Sequence, residues 1–156
     1  MFGLFKSKGV TVLSPTDGEI ISLESVNDEV FSQKMVGDGT AIIPHNGTFV
    51  APFDGEITKL FSTLHAYSIK HKSGLEVIVH IGLETVSLAG DGFEAFVSQG
   101  EMVKAGDIVI KADLEKIKSL GKDMVTPIVI TQMQKYTSLE KYTGAVESKE
   151  PIMEVK

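Results

Sequence analysis

Short apolar and β-branched runs alternate with polar turn residues along this chain. Glycine, proline, aspartate or asparagine interrupts the runs every eight to twelve residues, a spacing typical of short strands joined by turns. The pattern predicts strands at residues 10–13, 19–23, 41–44, 47–51, 56–61, 66–70, 75–81, 108–112 and 127–131. A protein built from such segments is rich in β-structure.

Helical periodicity is concentrated in one segment. Leu114, Ile117 and Leu120 are spaced for one helix face, Asp113 is suited to an N-cap, and Gly121 is suited to the end of a helix. We therefore expect an all-β sandwich or barrel, with one or two short helices. The length of 156 residues fits one domain, which we assign to residues 10–156, after a flexible tail at residues 1–9.

One local pattern occurs twice. Ser-Pro-Thr-Asp-Gly-Glu-Ile at residues 14–20 resembles Ala-Pro-Phe-Asp-Gly-Glu-Ile at residues 51–57. Both copies read as the end of a strand, an Asp-Gly turn and the start of a new strand. We interpret them as two equivalent corners of one β-fold, in which Asp17 and Asp54 serve the turns and bind no metal.

Composition excludes several function classes. The chain has no cysteine, so disulfides, thiolate metal sites and cysteine catalysis are excluded. Its 15 cations are all lysines and its formal net charge is −6, which argues against nucleic acid as a partner. The N-terminus is too short for a secretory signal, so we expect a cytoplasmic protein, with at most peripheral membrane contact through residues 1–8.

Two of the four histidines lie on consecutive predicted strands. His45 and His71 fall in turns, whereas His65 and His80 lie on either side of the turn at residues 71–74. A two- or four-residue loop would pair His65 directly with His80, with Cβ atoms about 4.5–5.5 Å apart. A three-residue loop with a glycine bulge would shift the pairing by one residue and put the two rings on opposite faces. The sequence leaves both registers open.

Two facing imidazoles allow two kinds of chemistry. A zinc site needs at least a third protein ligand, and the nearest carboxylates, Glu76 and Glu84, lie about 13 Å from His80 along an extended strand. Alternatively, one neutral imidazole attacks phosphorus while the other donates a hydrogen bond to the phosphoryl oxygens. The second possibility fits the residue inventory better, since an apolar strand face would also limit hydrolysis.

The segments around both histidines carry a longer motif. Residues 74–86 read Gly-Leu-Glu-Val-Ile-Val-His-Ile-Gly-Leu-Glu-Thr-Val, and residues 63–69 read Thr-Leu-His-Ala-Tyr-Ser-Ile. Both segments resemble the active-site signature of the glucose-class enzyme IIA family, part of the bacterial phosphoenolpyruvate-dependent sugar phosphotransferase system. The similarity extends from about Val10 to the end of the chain. It implies an antiparallel β-sandwich of the barrel-sandwich hybrid type.

The resemblance also implies roles for particular residues. His80 would accept a phosphoryl group from the phosphohistidine of the carrier protein HPr and pass it to a cysteine of the enzyme IIB domain of a sugar permease. His65 would hydrogen-bond the phosphoryl group during onward transfer, and Thr63 would orient His65. The residues that match the family's partner-docking surface are Asp28, Val30, Phe31, Val36, Ile78, Glu84 and Val86.

Departures from the family pattern leave alternatives open. Glu84 stands where the family often has aspartate, and Gln134 stands where some relatives carry aspartate, so the acidic rim is weaker. No resident cofactor or metal is expected, and zinc would bind His65 and His80 only within a complex with another protein. Regulated permeases or metabolic enzymes are further possible partners. Rival interpretations are a regulatory binding module and a zinc peptidase with a third ligand in this chain.

Overall fold

The computed structural model describes residues 9–156, which form fourteen strands and two short α-helices. The helices are α1 (Glu29–Ser32) and α2 (Leu114–Ser119). Short 3-10 turns cover Leu23–Ser25, Thr85–Leu88 and Met133–Lys135. The strands are β1 (Val10–Leu13), β2 (Gly18–Ser22), β3 (Asp38–Pro44), β4 (Thr48–Val50), β5 (Gly55–Leu60), β6 (Ala66–Lys70), β7 (Glu76–His80), β8 (Phe93–Ala95), β9 (Met102–Val103), β10 (Ile108–Ala112), β11 (Thr126–Ile130), β12 (Leu139–Lys141), β13 (Gly144–Val146) and β14 (Pro151–Val155).

The strands form three antiparallel sheets. The largest has eight strands in the order β13-β2-β3-β11-β7-β6-β5-β9, and two sheets of three strands have the orders β1-β14-β12 and β4-β10-β8. The predicted all-β fold is confirmed, and every predicted strand is present with its ends shifted by at most a few residues. The predicted helix is α2, with the Asp113 side chain accepting a hydrogen bond from the Lys116 amide. Helix α1 and the strands β8, β9, β12, β13 and β14 were not predicted.

The two similar corners make matching contacts. The Leu13 amide donates to the Pro52 carbonyl at 2.9 Å, and the Val50 amide donates to the Pro15 carbonyl at 2.7 Å. Asp17 accepts from the Ser148 amide, and Asp54 accepts from the Ala105 amide, so each aspartate binds the turn opposite its own corner. The prediction of two equivalent corners in which aspartate serves a turn is therefore confirmed.

Strand β7 joins the core to the surface on which the histidines lie. Its alternate residues Val77 and Val79, and the flanking Leu75 and Ile81, are fully buried, as the apolar stripe predicts. On the opposite face of the large sheet, a second buried cluster lies beneath α1 and consists of Leu23, Val26, Phe31, Ala41, Leu83 and Val129. This second cluster fixes α1 beside the end of β7.

No helix within residues 9–156 is long and apolar enough to cross a membrane. The predicted membrane contact through residues 1–8 lies outside the described residues. The assignment of residues 10–156 to one domain stays a prediction, which the pairing of β1 with β14 supports because it joins the two ends of the described chain.

Candidate functional site: a histidine pair under an apolar collar

His80 ends strand β7, and the chain beyond it orients its ring. Gly82 has a φ of 79°, which is the left-handed region that favours glycine. In this conformation its carbonyl oxygen lies 2.7 Å from His80 Nδ1. A carbonyl only accepts, so Nδ1 must carry the proton and donate it. In a neutral ring this leaves the lone pair on Nε2.

His65 lies just before strand β6, where the backbone bends. The preceding residue, Leu64, has a φ of 58°, and the His65 carbonyl accepts a hydrogen bond from the Ile81 amide at 2.7 Å. Thr63 Oγ1 lies 2.6 Å from His65 Nδ1. The centroids of the His65 and His80 rings are 4.9 Å apart, with an angle of 79° between the ring planes. The hydrogen bonds of both rings within residues 9–156 use only Nδ1.

The rings of His65 and His80 meet although the two residues are not paired directly across the strands. Five residues, 71–75, separate β6 from β7, and the His71 amide donates to the Leu75 carbonyl, which leaves a three-residue turn at 72–74. Gly74 in this turn has a φ of 100°, and Ala66, not His65, pairs with His80. The expectation that this register separates the two rings is wrong. The alternation of side chains between the two faces of the sheet stops at the first residue of β6. The backbone bends at Leu64 and His65, and this bend brings the His65 ring next to the His80 ring.

The same shift corrects the expected surroundings of the pair. Direct pairing of His65 with His80 would place Tyr67 and Ile69 on the face of His80, but they pair with Val79 and Val77 and are fully buried in the core. The Tyr67 hydroxyl donates to the Val50 carbonyl at 3.0 Å. The face of the sheet that carries His80 is therefore formed by Ala66, Ser68 and Ile78 on these strands.

Burial keeps both imidazoles neutral. Desolvation, followed by the positive charge of a protonated His80, lowers the pKa of His65 to about 4, and His65 is only 4% exposed. Desolvation also lowers the pKa of His80, although its hydrogen bond to Gly82 and the charge of Asp28 act in the opposite direction. At neutral pH the site therefore presents two uncharged rings, of which His80 has Nε2 available as a nucleophile.

An apolar concavity of about 420 Å³ opens over His80, and we call it the collar. The structure brings all the predicted docking residues together in it, and adds Phe61, which the sequence reasoning missed. The collar residues are Asp28, Val30, Phe31, Val36, Phe61, Ile78, Glu84 and Val86. The ring of Phe31 lies 4.9 Å from the His80 ring, and the ring of Phe61 lies 5.3 Å from the His65 ring. Phe61 had been recognised only as the end of a strand; an aromatic two residues before Thr63 was the available signal.

Local structure explains how the collar residues are held. Asp28 is the N-cap of α1, and its carboxylate accepts a hydrogen bond from the Val30 amide at 2.9 Å. Glu84 has a φ of 57° and precedes the 3-10 turn that carries Val86. Val30 is 44% exposed and Val86 is 53% exposed. The collar thus presents apolar side chains to the exterior, together with the carboxylates of Asp28 and Glu84.

Other residues singled out in the sequence lie elsewhere. His45 and His71 lie between strands, as predicted. His45 is exposed, whereas His71 is partly buried against the Phe53 ring, with the ring centroids 5.3 Å apart. Glu76 accepts a hydrogen bond from the Thr58 hydroxyl. Gln134 is exposed in the Met133–Lys135 turn and does not line the collar.

The histidine pair has no third metal ligand among the described residues. Within residues 9–156, no group of three or more histidine, cysteine, aspartate or glutamate side chains is arranged to hold a metal ion. The pair could supply two imidazole ligands, and a tetrahedral zinc ion would need the remaining ligands from elsewhere. The zinc-peptidase interpretation lacks, in this part of the chain, the ligand it requires.

A β-sandwich that carries two neutral histidines under an apolar collar is the combination of fold and site by which we compare this chain with known families. Residues 10–136 match the family described as phosphoenolpyruvate-dependent sugar phosphotransferase system, EIIA 1. The chain belongs to this family, as the resemblance of its motifs implied. It is therefore a component of the sugar phosphotransferase system and takes part in phosphoryl transfer.

Individual relatives match over nearly the whole chain. The glucose-specific EIIA component of Bacillus cereus is 47% identical over 96% of this chain and 91% of its own length. The glucose-specific EIIA component of Haemophilus influenzae is 43% identical over 95% of this chain and 89% of its own length. The glucose-specific EIICBA component of Streptococcus pneumoniae is 44% identical over 97% of this chain, which corresponds to 21% of that longer protein. The solved structure of glucose permease IIA from Mycoplasma capricolum superposes with a TM-score of 0.88 at 40% identity, covering 96% of this chain and 97% of that one.

Proposed function

We propose that this protein is a phosphocarrier whose covalent intermediate is a phosphohistidine at His80. In the first step, His80 Nε2 attacks the phosphoryl group carried by the phosphohistidine of HPr. The new phosphorus–nitrogen bond forms as the donor's bond breaks, and the donor imidazole leaves with its electron pair. The observation that carries the proposal is the 2.7 Å hydrogen bond from His80 Nδ1 to Gly82, which leaves Nε2 as the nucleophilic nitrogen.

The second step passes the group onward to a cysteine of an enzyme IIB domain. The cysteine thiolate attacks phosphorus, a phosphorus–sulfur bond forms, and the bond to His80 Nε2 breaks with its electrons returning to the ring. The fused relatives support this acceptor, since the Streptococcus pneumoniae protein is named a glucose-specific EIICBA component and that of Staphylococcus carnosus a glucoside-specific EIICBA component. We propose the same acceptor for this chain, on a glucose-type sugar permease, and a cytoplasmic location for the reaction.

His65 stabilises the charge on the transferring group in this proposal. If the Thr63 hydroxyl donates to His65 Nδ1, the proton of the neutral ring stays on Nε2, from which it can be donated to a phosphoryl oxygen. The chain has no arginine to do this. His65, with its low pKa, keeps this neutral donor form at physiological pH.

The collar is the proposed docking surface for both partners. Its apolar side chains exclude water from the labile phosphohistidine, and its carboxylates, Asp28 and Glu84, suit a partner with cationic groups around its own active residue. The same surface would serve regulated permeases or metabolic enzymes, and zinc would enter only with ligands from such a partner.

The deciding experiment measures intact mass after the protein is mixed with phosphoenolpyruvate, enzyme I and HPr. We expect an acid-labile gain of one phosphoryl group in the wild type and in His65→Gln, and no gain in His80→Gln. Transfer from the phosphorylated protein to an enzyme IIB domain should fail in His65→Gln. No gain in the wild type with a competent carrier would refute the proposal. A gain without any transfer to enzyme IIB would instead favour a regulatory module.

A further inference from the structure

The part of the collar formed by residues 28–36 is a short excursion from the large sheet. It leaves after the 3-10 turn Leu23–Ser25 and returns at the start of β3, Asp38. Helix α1 ends within it in a hydrogen-bonded turn: the Lys34 amide donates to the Phe31 carbonyl, and the Met35 amide donates to the Val30 carbonyl. This pair of bonds is the Schellman pattern that terminates helices.

Lys34 occupies a position in this turn where glycine is favoured. Its φ is 60°, the left-handed conformation that side chains other than glycine adopt with strain. From this position the Lys34 side chain forms two ion pairs: its Nζ lies 3.1 Å from Glu24 Oε2 and 3.7 Å from Asp38 Oδ2. Lys34 therefore links Glu24, which precedes the excursion, to Asp38, which follows it.

Asp38 extends this link to another sheet. Its Oδ1 accepts a hydrogen bond from Lys141 Nζ at 2.9 Å and another from the Gly39 amide at 2.7 Å. Lys141 belongs to β12, in a three-stranded sheet, whereas Asp38 begins β3 in the large sheet. The side chains of Asp38 and Lys141 are only 26% and 29% exposed, so their ion pair is shielded more than an ordinary surface pair.

We propose that Lys34, Asp38 and Lys141 are positioning residues that hold the collar segment 28–36 in the geometry against which the phosphoryl-donor protein docks. The inference rests on the proposed function, and it adds residues that touch neither the histidines nor the transferred group. Since Val30, Phe31 and Val36 all lie inside the bridged segment, loosening the bridge displaces the docking surface. The reacting ring of His80 belongs to β7 and keeps its own hydrogen bond.

The charge state of Asp38 supports this assignment. Burial raises the pKa of the Asp38 carboxyl, but the hydrogen bonds from Lys141 and the Gly39 amide and the charges of both lysines outweigh it and lower the pKa below its ordinary value. The carboxylate is thus ionised throughout the physiological range. Asp38 therefore carries the charge that the bridge requires at the pH at which the protein works.

The test compares Lys34→Gly with Lys149→Gly. Lys149 is also left-handed, with a φ of 75°, but it lies in the turn opposite the Asp17 corner and forms no ion pair with the residues that the structure describes. Both variants remove one lysine and relieve left-handed strain, but only Lys34→Gly removes the bridge. Asp38→Asn weakens the bridge without changing the backbone at residue 34, so an effect shared by Lys34→Gly and Asp38→Asn belongs to the bridge. Asp38→Asn and Lys34→Arg complete the set, the first removing the charge and the second retaining a cation.

Two phosphoryl donors separate docking from chemistry. Phosphoramidate, a small phosphorus–nitrogen donor, reaches His80 without the collar, whereas phospho-HPr must dock. For Lys34→Gly and Asp38→Asn we expect the KM for phospho-HPr to rise about two- to fivefold, the range of partly exposed ion pairs, with kcat and the phosphoramidate rate unchanged. Lys149→Gly should match the wild type, and Lys34→Arg should restore most of the KM.

Each failure has its own signature. A KM for Lys34→Gly equal to that of Lys149→Gly would overturn the positioning role while leaving the proposed function standing. A fall in kcat with both donors would also overturn it, because the bridge would then act on the reacting ring. Absence of phosphorylation of wild-type His80 by either donor would refute the proposed function itself.

Discussion

Replacing Thr63 with valine removes one hydroxyl group and preserves the shape of the side chain. That hydroxyl lies 2.6 Å from His65 Nδ1, and His65 is only 4% exposed, so solvent has little access to take its place. Leaving a buried polar atom without its partner costs about 1–3 kcal/mol. If the hydroxyl also selects the His65 tautomer that donates to the phosphoryl group, the barrier of onward transfer rises by a similar amount.

A rise of that size slows the transfer by about five- to 150-fold, at 1.36 kcal/mol per factor of ten. The assay separates the two half-reactions by rapid quenching: phosphorylation of His80 by phospho-HPr, and transfer from phospho-His80 to the enzyme IIB cysteine. We expect Thr63→Val to slow the second step by this factor and the first step less. Thr63→Ser keeps the hydroxyl and serves as the matched control.

The reasoning fails if Thr63→Val and Thr63→Ser transfer at the same rate to enzyme IIB. It also fails if Thr63→Val slows both half-reactions by the same factor. The first half-reaction depends mainly on His80, whose hydrogen bond to Gly82 does not involve Thr63. Denaturant unfolding of both variants shows whether the loss of rate follows a loss of fold.

Three further predictions concern the turn, the titration and the docking surface of the site. Gly82→Ala should lower the free energy of unfolding by about 2–5 kcal/mol, because it adds left-handed strain and a Cβ that would come within 2.6 Å of a neighbouring side chain. Gly74→Ala is the control: its φ is 100° and no atom lies within 4 Å of its Cβ, so only the strain of about 1–2 kcal/mol should appear. Equal losses of stability for the two variants in urea unfolding would contradict this prediction. The folded pKa values of His65 and His80 lie below the unfolded value of about 6.5, so the unfolded state binds more protons on acidification. The contribution of the two histidines to stability should therefore be complete above about pH 6.5 and be lost as the pH falls towards about 4. If the unfolding free energy of His65→Gln varies with pH as steeply as that of the wild type, His65 is not a source of this dependence. Val86→Asp changes a side chain that is 53% exposed, so the free energy of unfolding should stay within about 0.5 kcal/mol of the wild-type value. The KM for phospho-HPr should rise, and an unchanged KM would show that Val86 is not part of the docking surface.

Local sequence patterns predicted most of the strands because their side chains have a period of two. The apolar stripe of alternate residues from Leu75 to Ile81 is buried as expected. Both Asp-Gly corners also form, although the carboxylates of Asp17 and Asp54 bind amides that are distant in the chain. The strands that escaped prediction are mostly two or three residues long, too short to show a period. Strand β14 has five residues but begins at a proline near the chain end, and its pairing partner β1 lies at the other end of the described chain.

The sequence predicted which residues form the candidate site better than it predicted how they are arranged in space. The resemblance to the family named His65, His80, Thr63 and all seven docking residues, and the structure places them together. Phe61 was missed because it was interpreted only as the end of a predicted strand. The Lys34, Asp38 and Lys141 bridge escaped for a different reason. Lys141 is 103 residues from Asp38 in the chain, and no short-range rule connects them.

The sequence by itself determined most of the strands, the corners, the family and which two histidines form the candidate site, because periodicity, turn chemistry and a long motif are local properties. Only the tertiary structure decided how the histidines meet. A three-residue loop sets Ala66 opposite His80, and the left-handed Leu64 then turns His65 out of the strand and towards its partner. That outcome depends on where alternation stops. The Ile81 amide still donates to the His65 carbonyl in the register of the ladder, and the left-handed Leu64 ends the strand directly before it. A period of two does not tell which residue leaves the extended conformation.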